Sequence, residues 1–463
     1  MRVFILVLIH VVVAILAGFL LTKYSPSVLL LGVAALIIFL VSFINIEWGL
    51  YILIFSMLLS PEIIAGETGG GSLGRGVTLR LEDFLLVVIG LSWLARNAVD
   101  KELGLFLKTP LNKAIFYYIL ACVLSTGFGI MAGRVELKTG FMFVLKYIEY
   151  FLVFFMMVNH VKNTDQIKRF LICLFITCLI ASLIGASQIP GGGRVSAPFE
   201  GEIGEPNTFG GYLLFMGCVA AGLLAKADNL RTKQTMVIVL ICIIPPFLFT
   251  QSRSSYLAAV PALLVLGFMT ERRLIILGLL AISLMVSPLF LPKAVKDRIM
   301  YTFTQPEEQG QILIGKLRID TSTSARLTSW KEALSDWPKQ PLLGYGVTGY
   351  SFVDAQFPRI LVETGILGLI AFLYLLYSIA RLTLQNLKVV KTPFYQGLGI
   401  GFLAGFVGLI VHAIGANTFI IVRIMEPFWF FVGIVCAIPM LDRQQLDQLE
   451  SAAVRGNTAL SKT

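Results

Sequence analysis

Charge is scarce in this chain. Only 14% of its 463 residues are Asp, Glu, Lys or Arg, where a soluble domain carries about 25%. With 57% apolar residues and a mean hydropathy of +0.84, the ordinary soluble class is excluded. Histidine is nearly missing: the three present, His10, His160 and His412, have no ligand-like neighbours, so no zinc or iron site is expected. The six cysteines all lie inside apolar runs and none in a polar loop. They read as small packing residues, without a disulfide framework or metal cluster. A net charge of +10 would suit nucleic acid if it were gathered on one surface. Here the basic residues form short clusters between apolar runs, which is the distribution of topology signals and not of a phosphate groove.

What the chain has in abundance is apolar runs of about 17–22 residues, each long enough for a hydrocarbon layer of about 30 Å. Fourteen such runs extend from 3–22 to 419–440. The expected fold is all-α, a polytopic membrane helical bundle of about 12–14 transmembrane helices with one large extracytoplasmic loop. Lys and Arg concentrate in alternate connections, around 96–113, 162–169, 226–233, 272–273 and 381–391 and in the tail. That places both termini in the cytoplasm. The first run follows a lone Arg2, lacks a small-x-small cleavage site and is read as a retained helix. The chain divides into N-terminal helices (1–189), core helices with Arg-bearing outer loops (190–291), the large loop (292–358), C-terminal helices (359–440) and a cytoplasmic tail (441–463).

The polar stretch from Lys293 to about Leu367 is expected to form a lid over a site at the membrane surface. Within it Leu327, Trp330, Leu334 and Trp337 share one helix face, either flat among lipid headgroups or capping the protein. Gly397, Gly401 and Gly405, four apart, clear one helix face for a neighbouring backbone. Two pairs three residues apart inside apolar runs, Lys146 with Glu149 and Arg423 with Glu426, are expected to neutralise themselves.

Arg253 is different. Gln251, Ser252, Ser254 and Ser255 flank it and no acidic residue lies within ten positions. A lone guanidinium among amides and hydroxyls suits a bidentate anion such as phosphate. Arg194, Arg326 and Arg359 are candidates to join it, with Asn207 at a helix start nearby in sequence to Arg194. The candidate catalytic carboxylates are Asp354 and Glu363. Asp354, in the loop, is the better general base, and Glu363, about one turn inside the helix, the better partner for an arginine.

These features together resemble the O-antigen polymerase and O-antigen ligase superfamily of bacterial envelope glycosyltransferases. The resemblance is carried by the turn Thr250-Gln-Ser-Arg253, Arg326 with Trp330, the turn Gly344-Tyr-Gly-Val-Thr-Gly349, the run Asp354 to Gly368 ending Glu363-Thr-Gly-Ile-Leu-Gly368, and Glu205-Pro-Asn207 opening a helix. It covers roughly 190–380. It implies a C-type glycosyltransferase fold and an inverting transfer from an undecaprenyl-diphosphate-linked oligosaccharide, with membrane lipids as surroundings and no nucleic acid, cofactor or metal. Other polysaccharide-assembly proteins would be further partners. By the same resemblance Arg253 and Arg194 bind the donor diphosphate and Arg326 lines the site. Ligases of the family usually carry a histidine about nine residues before the Glu of the Glu-x-Gly motif; here that position is Asp354. This favours a polymerase of O-antigen or exopolysaccharide, with a ligase that transfers glycan to lipid A core or another acceptor as the alternative. A transporter or lipid flippase is the third reading, and neither duplicated halves nor polar residues at mid-membrane support it.

Overall fold

The computed structural model describes residues 26–63, 79–99, 108–200, 204–271, 291–314 and 317–460, with short helical pieces between 273 and 282. The expected span 3–22 and most of 273–291 lie outside the described residues. The helices in chain order are α1 (Pro26–Ile44), α2 (Ile46–Leu59), α3 (Leu81–Val99), α4 (Asn112–Met131), α5 (Leu137–His160), α6 (Thr164–Gln188), α7 (Pro206–Ala225), α8 (Leu230–Phe249), α9 (Arg253–Met269), α10 (Lys293–Thr304), α11 (Thr321–Asp336), α12 (Gln356–Val389), α13 (Pro393–His412) and α14 (Val422–Leu460). Two antiparallel strand pairs, Glu62–Ile63 with Leu79–Arg80 and Leu313–Ile314 with Leu317–Arg318, sit in the connections. Among the described residues eight helices are long and apolar enough to cross a membrane, fewer than the 12–14 expected, and three more apolar helices are shorter.

Polar connections set where the helices start. The side chains of Asn45, Asn163, Asn229 and Ser252 cap α2, α6, α8 and α9 by accepting from first-turn N–H groups. Proline opens α7 and α13, where its missing N–H has no intrahelical partner to lose. The glycine stripe of α13 meets α7 directly. A Cβ on Gly401 would lie 2.7 Å from the Val219 Cα, and one on Gly222 would strike the Gly397 carbonyl. Aromatic side chains fill the centre: Trp429 of α14 meets Phe151 and Phe154 of α5 with ring centroids 4.7 and 5.6 Å apart.

One long helix is broken. Gly365 in α12 has φ 67° and ψ −170°, a conformation that a side chain strains. The break strips backbone groups of their helical partners, and the glycine turn supplies new ones. Tyr345 and Gly346 donate to the carbonyls of Val362 and Glu363 (2.9 and 2.8 Å), while Ile366 and Leu367 donate to those of Pro341 and Leu342 (2.9 and 3.3 Å). The Ser125 hydroxyl of α4 stands 2.7 Å from the Glu363 carbonyl oxygen. Irregular backbone at this depth persists only because protein satisfies it. The two sequence motifs, Gly-Tyr-Gly-Val-Thr-Gly and Glu-Thr-Gly-Ile-Leu-Gly, are thus two halves of one hydrogen-bonded unit.

The polar segment packs on this unit. Trp330 is half-buried against a small cluster of Ala333, Val353, Ala355 and Val362 and so caps protein, whereas Leu334, expected on the same face, is exposed. The stretch Pro198–Glu200 is held by α14. Arg423, fully buried at the start of α14, donates to the carbonyls of Pro198 (2.7 Å), Phe199 (3.2 Å) and Ser60 (3.2 Å) and lies 3.6 Å from Glu200. The expected pairing of Arg423 with Glu426 is therefore corrected: the cation serves a loop distant in sequence, because loop carbonyls converge where i+3 spacing alone would place the acid.

Candidate functional site

A cavity of about 710 Å³ opens where the N-terminal ends of α3, α7, α12 and α14 converge beside α5. The connections before α3 and α7 supply Arg80, Arg194 and Glu205, and α7 itself Asn207. Lys146 comes from α5, and Phe352, Asp354 and Arg359 come from the approach to α12 and its first turn. Residues 416–422 close the remaining side; the Asn417 amide donates to the Val353 carbonyl (2.9 Å) and the Gln356 side chain accepts from Phe419 N–H (2.9 Å). Four cations therefore face two carboxylates, and several helix N-termini add partial positive charge.

Arg194 sits at the centre of that imbalance. Its Nε donates to the Thr250 carbonyl (3.0 Å) and its Nη2 to Asn207 Oδ1 (3.1 Å), so its hydrogen bonds go to neutral oxygens. Burial, with repulsion from Arg298, Arg253 and Arg326, pushes it down to about 10. It stays protonated at neutral pH, in surroundings that favour an anion. Arg298 is lowered too, by burial first and then by Arg253.

The other cations are partly matched. Arg359 donates from Nε to Glu363 Oε1 (3.1 Å), both buried, and lies over the Phe352 ring with its Cζ 5.8 Å from the centroid. Glu363 also accepts from Thr348 N–H (3.3 Å) and is not among the residues lining the cavity, so its carboxylate holds Arg359 in place. Arg326 grips Asp354 Oδ2 with Nε and Nη2 (3.0 and 2.9 Å), which leaves Oδ1 outside this pair, and Asp354 lines the cavity. Lys146 is 2.7 Å from Asp83 and 3.7 Å from Glu149, so its main partner lies on α3, not on its own helix as the spacing suggested.

Arg253 is not the lone guanidinium expected. It makes two bonds to Asp320 (2.9 and 2.8 Å) and accepts no exposure to the cavity; Thr302 is a further partner at 2.6 Å. Burial alone would raise Asp320, but hydrogen bonds from Arg253 and Thr323 and the charge of Arg253 hold it below the usual range. Gln251 occupies a tight turn at φ 50° and does not line the cavity. Arg194, Asn207, Asp354 and Arg359 are thus brought together with Arg326 one contact behind. Arg80 and Lys146 were not anticipated as site residues. Lys146 was visible as a charge in an apolar run, but its i+3 acid pointed to self-neutralisation.

No curated protein matches the chain. Residues 235–373, which run from α8 through Arg253, the polar segment and Asp354 to the broken helix, match the model of a family described as O-antigen ligase (Wzy_C). The chain is accordingly a multi-pass membrane protein whose residues 235–373 carry a match to the O-antigen ligase domain, a domain that covers both the ligases and the polymerases of lipid-linked glycans.

Proposed function

We propose that the cavity holds the diphosphate of an undecaprenyl-linked glycan and that the protein transfers this glycan to a hydroxyl on a second lipid-linked repeat, as an O-antigen or exopolysaccharide polymerase. The site would lie at the extracytoplasmic face of the inner membrane, with both termini in the cytoplasm and a C-type glycosyltransferase architecture. The observation that carries the reading is Arg194: a solvent-facing guanidinium that lines the cavity and, among the described residues, bonds only to neutral oxygens, beside Arg359 and Asp354.

The donor arrives activated, so the protein must position an acceptor, take one proton and stabilise the departing charge. The acceptor oxygen attacks the anomeric carbon from the face opposite the diphosphate, and the bond to the diphosphate breaks with its electron pair. Arg194 and Arg359 stabilise the departing anion. Asp354 Oδ1 takes the hydroxyl proton while Arg326 fixes the other oxygen. Glu363 is a positioning residue for Arg359.

Aspartate at position 354, with no histidine anywhere in 292–358, favours polymerisation. The description of the matching family favours ligation as the second reading. Incubating purified protein with lipid-linked repeats, with and without a lipid core, separates them: a polymerase builds a ladder without the core. Arg194→Ala should abolish the product while leaving protein level intact; polymer of normal length in that variant would overturn the reading.

A further inference from the structure

The cavity shares a wall with a second group of ionisable side chains that the transfer step leaves unused. Behind Arg80 and Lys146 lie Glu82 and Asp83 on the first turn of α3, Glu149 on α5 and Glu426 on α14. Glu82 is buried, stands 3.6 Å from Arg80 and accepts from the Ser60 hydroxyl (2.6 Å). Asp83 takes Lys146 at 2.7 Å and also accepts from Arg80 N–H (2.8 Å). Glu149 stands 3.7 Å from the Lys146 ammonium, and its Oε1 has no hydrogen-bond partner among the described residues. Glu426, 1% exposed, has no donor on either oxygen among the described residues, and the charges acting on it are Glu82, Glu149, Asp83 and Lys146. Arg423 and Glu200 complete the surroundings, 3.6 Å from each other.

A buried carboxyl with no donor is stable only as the neutral acid. Protons therefore make up the shortfall of cations in this group. Arg80 and Lys146 also have two claims on them, because both line the cavity. An anion there competes with Glu82 and Asp83 for the same two cations.

We propose that diphosphate binding in the cavity is proton-linked: as Lys146 turns toward the bound anion, the carboxylates it leaves behind take up one proton from solvent, and Glu82 does the same as Arg80 turns. The inference rests on the reading of the cavity as the diphosphate site. One proton is bound for each cation transferred, and no covalent bond changes. The complex holds more protons than the free protein, so binding tightens as pH falls, by about tenfold per pH unit for each proton taken up.

The test uses the full chain in nanodiscs, with undecaprenyl diphosphate as probe and inorganic diphosphate as a second arm. Affinity is measured by calorimetry from pH 6 to 8.5 in buffers of different ionisation heat, which counts protons directly. In the double variant Asp83→Asn/Glu149→Gln, Lys146 has no carboxylate to leave. Binding at pH 8 should be about tenfold tighter than in wild type, and the slope against pH should fall by about one proton. Lys146→Gln should lose the same proton but bind more weakly. The probe's own titration is common to all three proteins and cancels in the comparison. Equal slopes in wild type and both variants, each with a cooperative melting transition, overturn the proton linkage. Absence of binding in every protein at every pH overturns the diphosphate reading of the cavity, and this inference with it. A response to undecaprenyl diphosphate alone supports the linkage for a lipid headgroup, and a response to both probes supports it for diphosphate in general.

Discussion

Replacing Arg253 by alanine removes the side chain that ties the start of α9 to the polar segment. Asp320, whose side chain is 2% exposed, loses both of its bonds from Arg253, and Thr302 loses its contact with the guanidinium. Stranding one partner of a buried ion pair costs about 3–5 kcal/mol. The Arg253 side chain keeps 19% exposure, which places the figure near the lower end, about 3 kcal/mol. Each 1.4 kcal/mol is a factor of ten, so local opening of the segment around α10 and α11 should rise by about a hundredfold. Limited proteolysis in nanodiscs reads this, provided cleavage is slow relative to reclosing. The double variant Arg253→Met/Asp320→Leu removes both charges and should return to within about 1 kcal/mol of wild type. A cleavage rate in Arg253→Ala equal to wild type, with donor binding lost, would show that this guanidinium is a ligand and not a strut.

Three further predictions follow from single features. Asp354→Asn should abolish glycan transfer while leaving affinity for undecaprenyl diphosphate within about threefold, because the amide keeps the contact with Arg326 but accepts no proton; transfer at the wild-type rate refutes the general-base role. Gly365→Ala places a Cβ against the Leu342 carbonyl at a positive φ, and should destabilise by more than about 2 kcal/mol, read as lower detergent-extracted yield and melting temperature. Glu200, outside the spans, is raised by burial to about 7, an effect only partly offset by Arg423. Its contribution is fully present below about pH 4.5 and is lost as pH rises to about 7, on the order of 3 kcal/mol. The wild-type melting temperature should therefore fall across that window more than that of Glu200→Gln, and parallel curves would remove the assignment.

Helical membrane character was legible because it is local: each apolar run carries its own length, four helices carry a capping Asn or Ser, and the glycine stripe of α13 states its spacing in four-residue steps. The route from Arg194 to Asn207 was legible for the same reason, since thirteen residues separate them. Long-range matching was not. Arg253 looked unpartnered because Asp320 is 67 residues away, and Lys146 looked satisfied because Glu149 is three residues away while Asp83, its closer partner, is 63. The break in α12 was hidden too. Apolar periodicity runs through Gly365 without interruption, and only the turn at 341–346 reveals why a glycine is required there.

The unit built on Gly365 determines which margin of the overlying segment is able to part. At 341–346 the segment is sewn to the bundle by main-chain bonds that no side-chain rotation can release. At Asp320 it is fastened by one guanidinium that a rotamer change sets free. The first margin is a seam and the second a latch, so the segment parts from the bundle first on the α9 side.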